Sequence, residues 1–144
     1  RPQGDAVARV AGVAARLVAR GAPAGLTTTA RYTHVAGYYE ISGLAWSGRG
    51  AITRVEVSAD GGKTWQEASL DGPVLPKCHT RFTLPWTWTG EAAVLQSRAV
   101  DDIGYTQPTL QELVEVRGTK SVYHLNAIQS WHIAPSGEVT NVHA

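Results

Sequence analysis

At 144 residues, 43% of them hydrophobic, the chain suits one domain with a core of its own. Thirteen basic and twelve acidic side chains leave a formal charge of +1, which argues against a nucleic-acid surface or a polybasic membrane patch. No apolar run is long enough to cross a bilayer, and the single cysteine, Cys78, excludes an intrachain disulfide.

The chain begins at Arg1 rather than Met, which reads as a fragment or a processed product. Residues 5–20 are rich in Ala, Val and Arg. Val7, Val10, Val13 and Leu17 recur at the spacing of one helix face, so a short helix is expected, ended by Gly21, Pro23 and Gly25. Residues 26–37 read as a linker, so residues 1–37 form an N-terminal extension of loose assignment and residues 38–144 the domain.

From Tyr38 onward the pattern is β. Tyr38–Trp46 makes a first strand, stopped by Ser47, Gly48 and Gly50. Ile52–Ser58 alternates, with Val55 and Val57 on one face and Arg54, Glu56 and Ser58 on the other. Asp60-Gly61-Gly62 tolerates positive φ and returns the chain as Lys63–Leu70. Further strands are expected at His79–Leu84, Val94–Asp101, Leu113–Val116 and Ala127–Ile133. Fifteen Gly and seven Pro punctuate these runs, and five Trp with five Tyr suit half-buried sheets and interfaces. The expected fold is all-β, an immunoglobulin-like sandwich, with a small barrel as the rival.

Several stretches could carry chemistry. Ser58, Asp60, Gly62 and Trp65 fit the Asp-box hairpin of sialidase-type propellers, but one copy makes no propeller. The motif is expected to be a turn device, with Asp60 accepting turn hydrogen bonds and Trp65 packed beneath. Asp101 and Asp102 are adjacent on an extended chain and point apart, which suits strand-end carboxylates better than a catalytic pair. His34, His79, His124, His132 and His143 show no zinc-type spacing with one another or with Cys78. Lys77 and His79 flank Cys78, but neighbouring strand positions diverge, so a packed or idle thiol is expected. No G-x-S-x-G and no Walker-type phosphate loop occurs, and an independent hydrolase ranks last.

Four stretches in order carry a resemblance. They are Gly43–Gly48 with the hairpin through Trp65; Leu75–Phe82 leading to Pro85-Trp86-Thr87-Trp88; Ser97–Pro108; and Val116-Arg117-Gly118 leading to Tyr123–Trp131. Together they resemble the C-terminal dimerisation domain of the sulfite oxidase family of molybdenum oxidoreductases. Tyr39–Gly48 and Asn126–Gln129 are most similar to the sulfane dehydrogenase subunit of the bacterial thiosulfate-oxidising system.

The resemblance implies a homodimer interface and one wall of an oxyanion substrate site, with no catalysis by this chain alone. It implies no cofactor bound here. Molybdopterin would sit in a separate domain of the same enzyme, and Cys78 does not occupy the family's metal-ligand position. A cytochrome c acceptor and a periplasmic location are implied as well. Arg117 matches the family arginine that faces the anion, and a guanidinium fork suits sulfite or sulfate oxygens. The alternative is a stand-alone immunoglobulin-like recognition module without activity.

Overall fold

The computed structural model describes residues 10–11, 16–19, 36–48, 50–119 and 126–142. Its strands are β1 (Val10–Ala11), β2 (Arg16–Ala19), β3 (Gly37–Ser47), β4 (Ile52–Ser58), β5 (Gln66–Glu67), β6 (Ser69–Leu70), β7 (Thr80–Trp88), β8 (Ala93–Asp101), β9 (Ser130–Ile133) and β10 (Val139–Val142). Among the described residues one helix, α1 (Leu110–Arg117), interrupts them. The strands form two antiparallel sheets. In the first, β3 pairs with β1 and β2 on one side and β7 on the other, and β6 lies beyond β7; the second runs β10-β9-β8-β4-β5.

The sheets pack face to face because each long strand buries alternate residues. Tyr39, Ile41, Ala45, Phe82 and Trp88 of the first sheet meet Val55, Val57, Leu95, Ala99 and Ile133 of the second in one core. Tyr39 lies between Trp86 and Trp88, with ring centroids 6.4 and 6.3 Å away. The all-β sandwich expected from the sequence is therefore the observed architecture.

The return strand expected over Lys63–Leu70 is divided. Only Gln66 and Glu67 pair with β4, after which Ser69 and Leu70 pair with β7 in the other sheet. Ala68 is the crossing point. It is buried, and its amide donates to Val55 O at 2.8 Å. The strand expected at His79–Leu84 continues to Trp88 through Pro85. β6 pairs only with Phe82 and Thr83, so no described strand faces Pro85 on that side.

Three expectations are corrected. The described parts of the N-terminal segment are strands, not helix: β1 pairs with Trp46–Ser47 and β2 with Tyr39–Ser42. A short isolated helix is marginal in water, whereas pairing satisfies the exposed edge of β3. The rest of the expected helix and most of the linker, residues 1–9, 12–15 and 20–35, lie outside the described residues. Leu113–Val116 is helix, not strand. Thr109 and Glu112 form a reciprocal capping box, and Gly118 ends the helix at φ 72 with its amide on Val114 O at 2.7 Å. The final strand begins at Ser130 rather than Ala127 and is followed by β10, reached through a turn at Gly137 (φ 85).

Candidate functional site

The β4–β5 turn is built from its own side chains. Ser58 Oγ donates to Asp60 Oδ1 at 2.7 Å and accepts the Gly62 amide at 2.9 Å. The Thr64 amide and hydroxyl both donate to Asp60, at 2.9 and 2.6 Å, and Trp65 Nε1 donates back to Gly62 O at 3.1 Å. These bonds, those of Thr64 foremost, hold the exposed Asp60 carboxyl down from 3.8 to about 2. The turn device expected at this motif is present. Gly62 is required here, since φ is +89 and a Cβ would lie 2.8 Å from Gln96 Oε1.

That turn forms one rim of an open cleft of about 590 Å³ on the outer face of the second sheet. Trp65 lines it from the turn, Gln96 and Arg98 from β8, and Pro108, Thr109 and Glu112 from the segment that opens α1. Arg98 is the central cation. Its Nε donates to Glu56 Oε2 at 2.7 Å across the β4–β8 ladder, and its guanidinium lies 4.1 Å from the Trp65 ring centroid. Arg54 approaches the same carboxylate at 3.6 Å, so one anion serves two cations. Opposite, Thr109 lowers the Glu112 carboxyl below its ordinary value through its backbone and then its side chain, and the charge of Arg98 adds to this.

The loop under the cleft is fixed by buried polar groups. Gln107 Nε2 donates to Ala127 O at 3.2 Å, its amide donates to Ala99 O at 3.0 Å, and Asn126 donates to Tyr105 Oη at 3.0 Å. Among the described residues the cleft lining holds no histidine or cysteine, and its one carboxylate, Glu112, is engaged in the helix cap.

The residues singled out in the sequence are dispersed. Arg117 closes α1, at the end opposite the cleft, roughly 8 Å along the helix from Glu112 at 1.5 Å per residue. Beside it Val116 is 83% exposed. Asp101 is 2% exposed and accepts Ser47 Oγ at 2.8 Å and the Ile103 and Tyr105 amides at 3.2 and 2.9 Å, whereas Asp102 is exposed. The pair thus diverges, and Asp101 ties the two sheets together. His79 packs edge-on against Trp46 with centroids 4.7 Å apart, and His132 lies on β9 between Val94 and Thr140. His34, His124 and His143 lie outside the described residues. Among the described residues no three His, Cys, Asp or Glu side chains gather as a metal site.

Sequence reasoning missed the Arg98 assembly and the helix cap. Both had signals: Glu56 and Arg98 sit on outward positions of strands read correctly, and Thr109-x-x-Glu112 is a capping-box pattern.

Comparison with known proteins places this architecture. Residues 24–131 match the Mo-co oxidoreductase dimerisation domain. The mitochondrial sulfite oxidase of Rattus norvegicus is 39% identical over 103 residues, 64% of this chain and 17% of that protein. An inducible NADH nitrate reductase of Glycine max is 40% identical over 79 residues, 49% of this chain and 9% of that enzyme. The crystal structure of the sulfane dehydrogenase SoxCD from Paracoccus pantotrophus superposes with a TM-score of 0.77 at 48% identity, covering 90% of this chain and 32% of that one. The chain thus spans less than a fifth of the length of the curated relatives it matches. With a two-sheet body and a family match across most of its length, the chain belongs to the dimerisation domains of the sulfite oxidase family of molybdenum oxidoreductases.

Proposed function

We propose that this chain serves a molybdenum-dependent sulfite or sulfane dehydrogenase as its dimerisation domain, supplying the subunit interface and, through Arg117, one wall of the oxyanion substrate site. The observation that carries the reading is the family match over residues 24–131, supported by the 48% identity to sulfane dehydrogenase. The domain body is assigned to residues 38–144 with an immunoglobulin-like arrangement. Residues 1–37 are an extension whose described strands, β1 and β2, add to the edge of β3.

Molybdopterin belongs to the catalytic domain in this reading. The described residues do not fit the group: Cys78 is exposed, and no three His, Cys, Asp or Glu side chains cluster. Sulfur-compound oxidation, a cytochrome c acceptor and a periplasmic location complete the proposal. Among the described residues no helix is long and apolar enough to cross a membrane.

Arg117 would act at the rim where α1 ends. Val116, exposed beside it, gives an apolar contact for a neighbouring catalytic domain. In the complete enzyme, Arg117→Ala is expected to weaken sulfite binding by about 1.5–3 kcal/mol, read as a raised KM, with the dimer intact. An unchanged KM overturns the arginine's role. Tight molybdopterin binding by this chain alone overturns the division of labour.

A further inference from the structure

Resting on the reading of Arg117 above, we propose that Thr109 and Glu112 are positioning residues for the oxyanion site: their capping box fixes the root of α1 and so sets where Arg117, at its tip, meets the anion.

The root of the helix is firmly held. Buried Gln107 donates through its amide to Ala99 O at 3.0 Å and through Nε2 to Ala127 O at 3.2 Å. Pro108 O accepts the Ile128 amide at 2.8 Å. Thr109 then exchanges bonds with Glu112. The Thr109 amide and hydroxyl donate to Glu112 Oε2 at 2.8 and 2.9 Å, and the Glu112 amide donates to Thr109 Oγ1 at 3.2 Å. The pair thereby satisfies two amides that a bare helix end would leave to water.

Beyond the root, little holds the helix. Leu113, 8% exposed, is its one buried side chain among the described residues, whereas Gln111, Glu112, Val114, Glu115 and Val116 are exposed. Eight residues with so little packing make a marginal helix, so its caps weigh heavily.

Length turns that weakness into leverage. From Thr109 to Arg117 the helix rises about 12 Å, and a tilt of about 10° at the root moves the tip by about 2 Å. Hydrogen bonds from a guanidinium to an oxyanion tolerate only about 0.5 Å. A loosened cap therefore costs Arg117 its contact while the sandwich behind it stays folded. The work is geometric rather than electrostatic, because glutamine closes a capping box as glutamate does.

Steady-state sulfite oxidation by the complete enzyme tests the role, with sulfate binding followed by calorimetry beside it. Thr109→Ala and Glu112→Ala should each raise the KM for sulfite about 3- to 10-fold and weaken sulfate binding by a similar factor. The kcat should stay within about twofold, since the lost contact serves substrate and transition state alike. Thr109→Ser and Glu112→Gln keep the capping bonds and should restore wild-type values. Added to Arg117→Ala, Thr109→Ala should change KM no further, because the group it places is gone. A cap that only stabilises the fold would lower the melting temperature and leave KM alone. If one alanine variant does not fold, the other decides. Unchanged KM in the alanine variants, with a raised KM in Arg117→Ala, overturns the positioning role and leaves the arginine's role standing. A further rise on top of Arg117→Ala overturns it as well. An unchanged KM in Arg117→Ala overturns both.

Discussion

The two sheets of this sandwich share a core but turn different chemistry outward. The β3–β7 ribbon shows aromatic, Thr and Pro side chains with one charge of each sign. The β4–β8 ladder shows Arg98 paired with Glu56 and stacked over Trp65, with the exposed Arg54 on the same carboxylate, beside a polar cleft. Equal burial inside therefore says nothing about what each sheet does outside. Polar groups that are already paired within the chain stabilise the fold and resist further desolvation. The ladder face should answer to stability measurements.

The largest effect is expected where the two sheets are joined. Asp101→Ala removes the acceptor for Ser47 of β3 and for two turn amides, and should cost about 3 kcal/mol in urea unfolding, with loss of both faces together. A cost within about 0.5 kcal/mol, as at an ordinary surface site, would show that the sheets hold without this link. Next comes Glu56→Ala, which leaves Arg98 half-buried without its carboxylate and should cost about 1–2 kcal/mol. That loss should persist in high salt. If it vanishes with salt, the ladder is an ordinary surface pair and the contrast between the faces weakens.

The smallest effect concerns the rim of the cleft. Because the folded-state value of Asp60 lies near 2, below its ordinary 3.8, its contribution to stability is present above about 3.8 and disappears as pH falls toward 2. Asp60→Asn should flatten the acid limb of the stability curve between those values. Parallel curves for the two proteins would show that the turn does not depend on the carboxylate.

Much of this was legible locally. β3, β4 and β8 follow from alternation bounded by Gly and Asp, and the Asp60 turn from the side chains that can satisfy it. Asp101 and Asp102 were read correctly as diverging because strand geometry alone decides it. The helix α1 was not read, since Leu113, Val114 and Val116 look like a strand when Thr109 and Glu112 are left out of the window. Arg117 came from family resemblance rather than from any pattern around it.

What a single strand or turn can settle was contained in the residues themselves: which positions face inward and where the chain reverses. Three-dimensional packing alone decided the rest. It moved the chain between sheets at Ala68, set Arg98 between Glu56 and Trp65, and turned residues 16–19 into an edge strand of β3. Those outcomes depend on partners tens of residues away, whose free energy of contact outweighs local preference and leaves no trace in a short window.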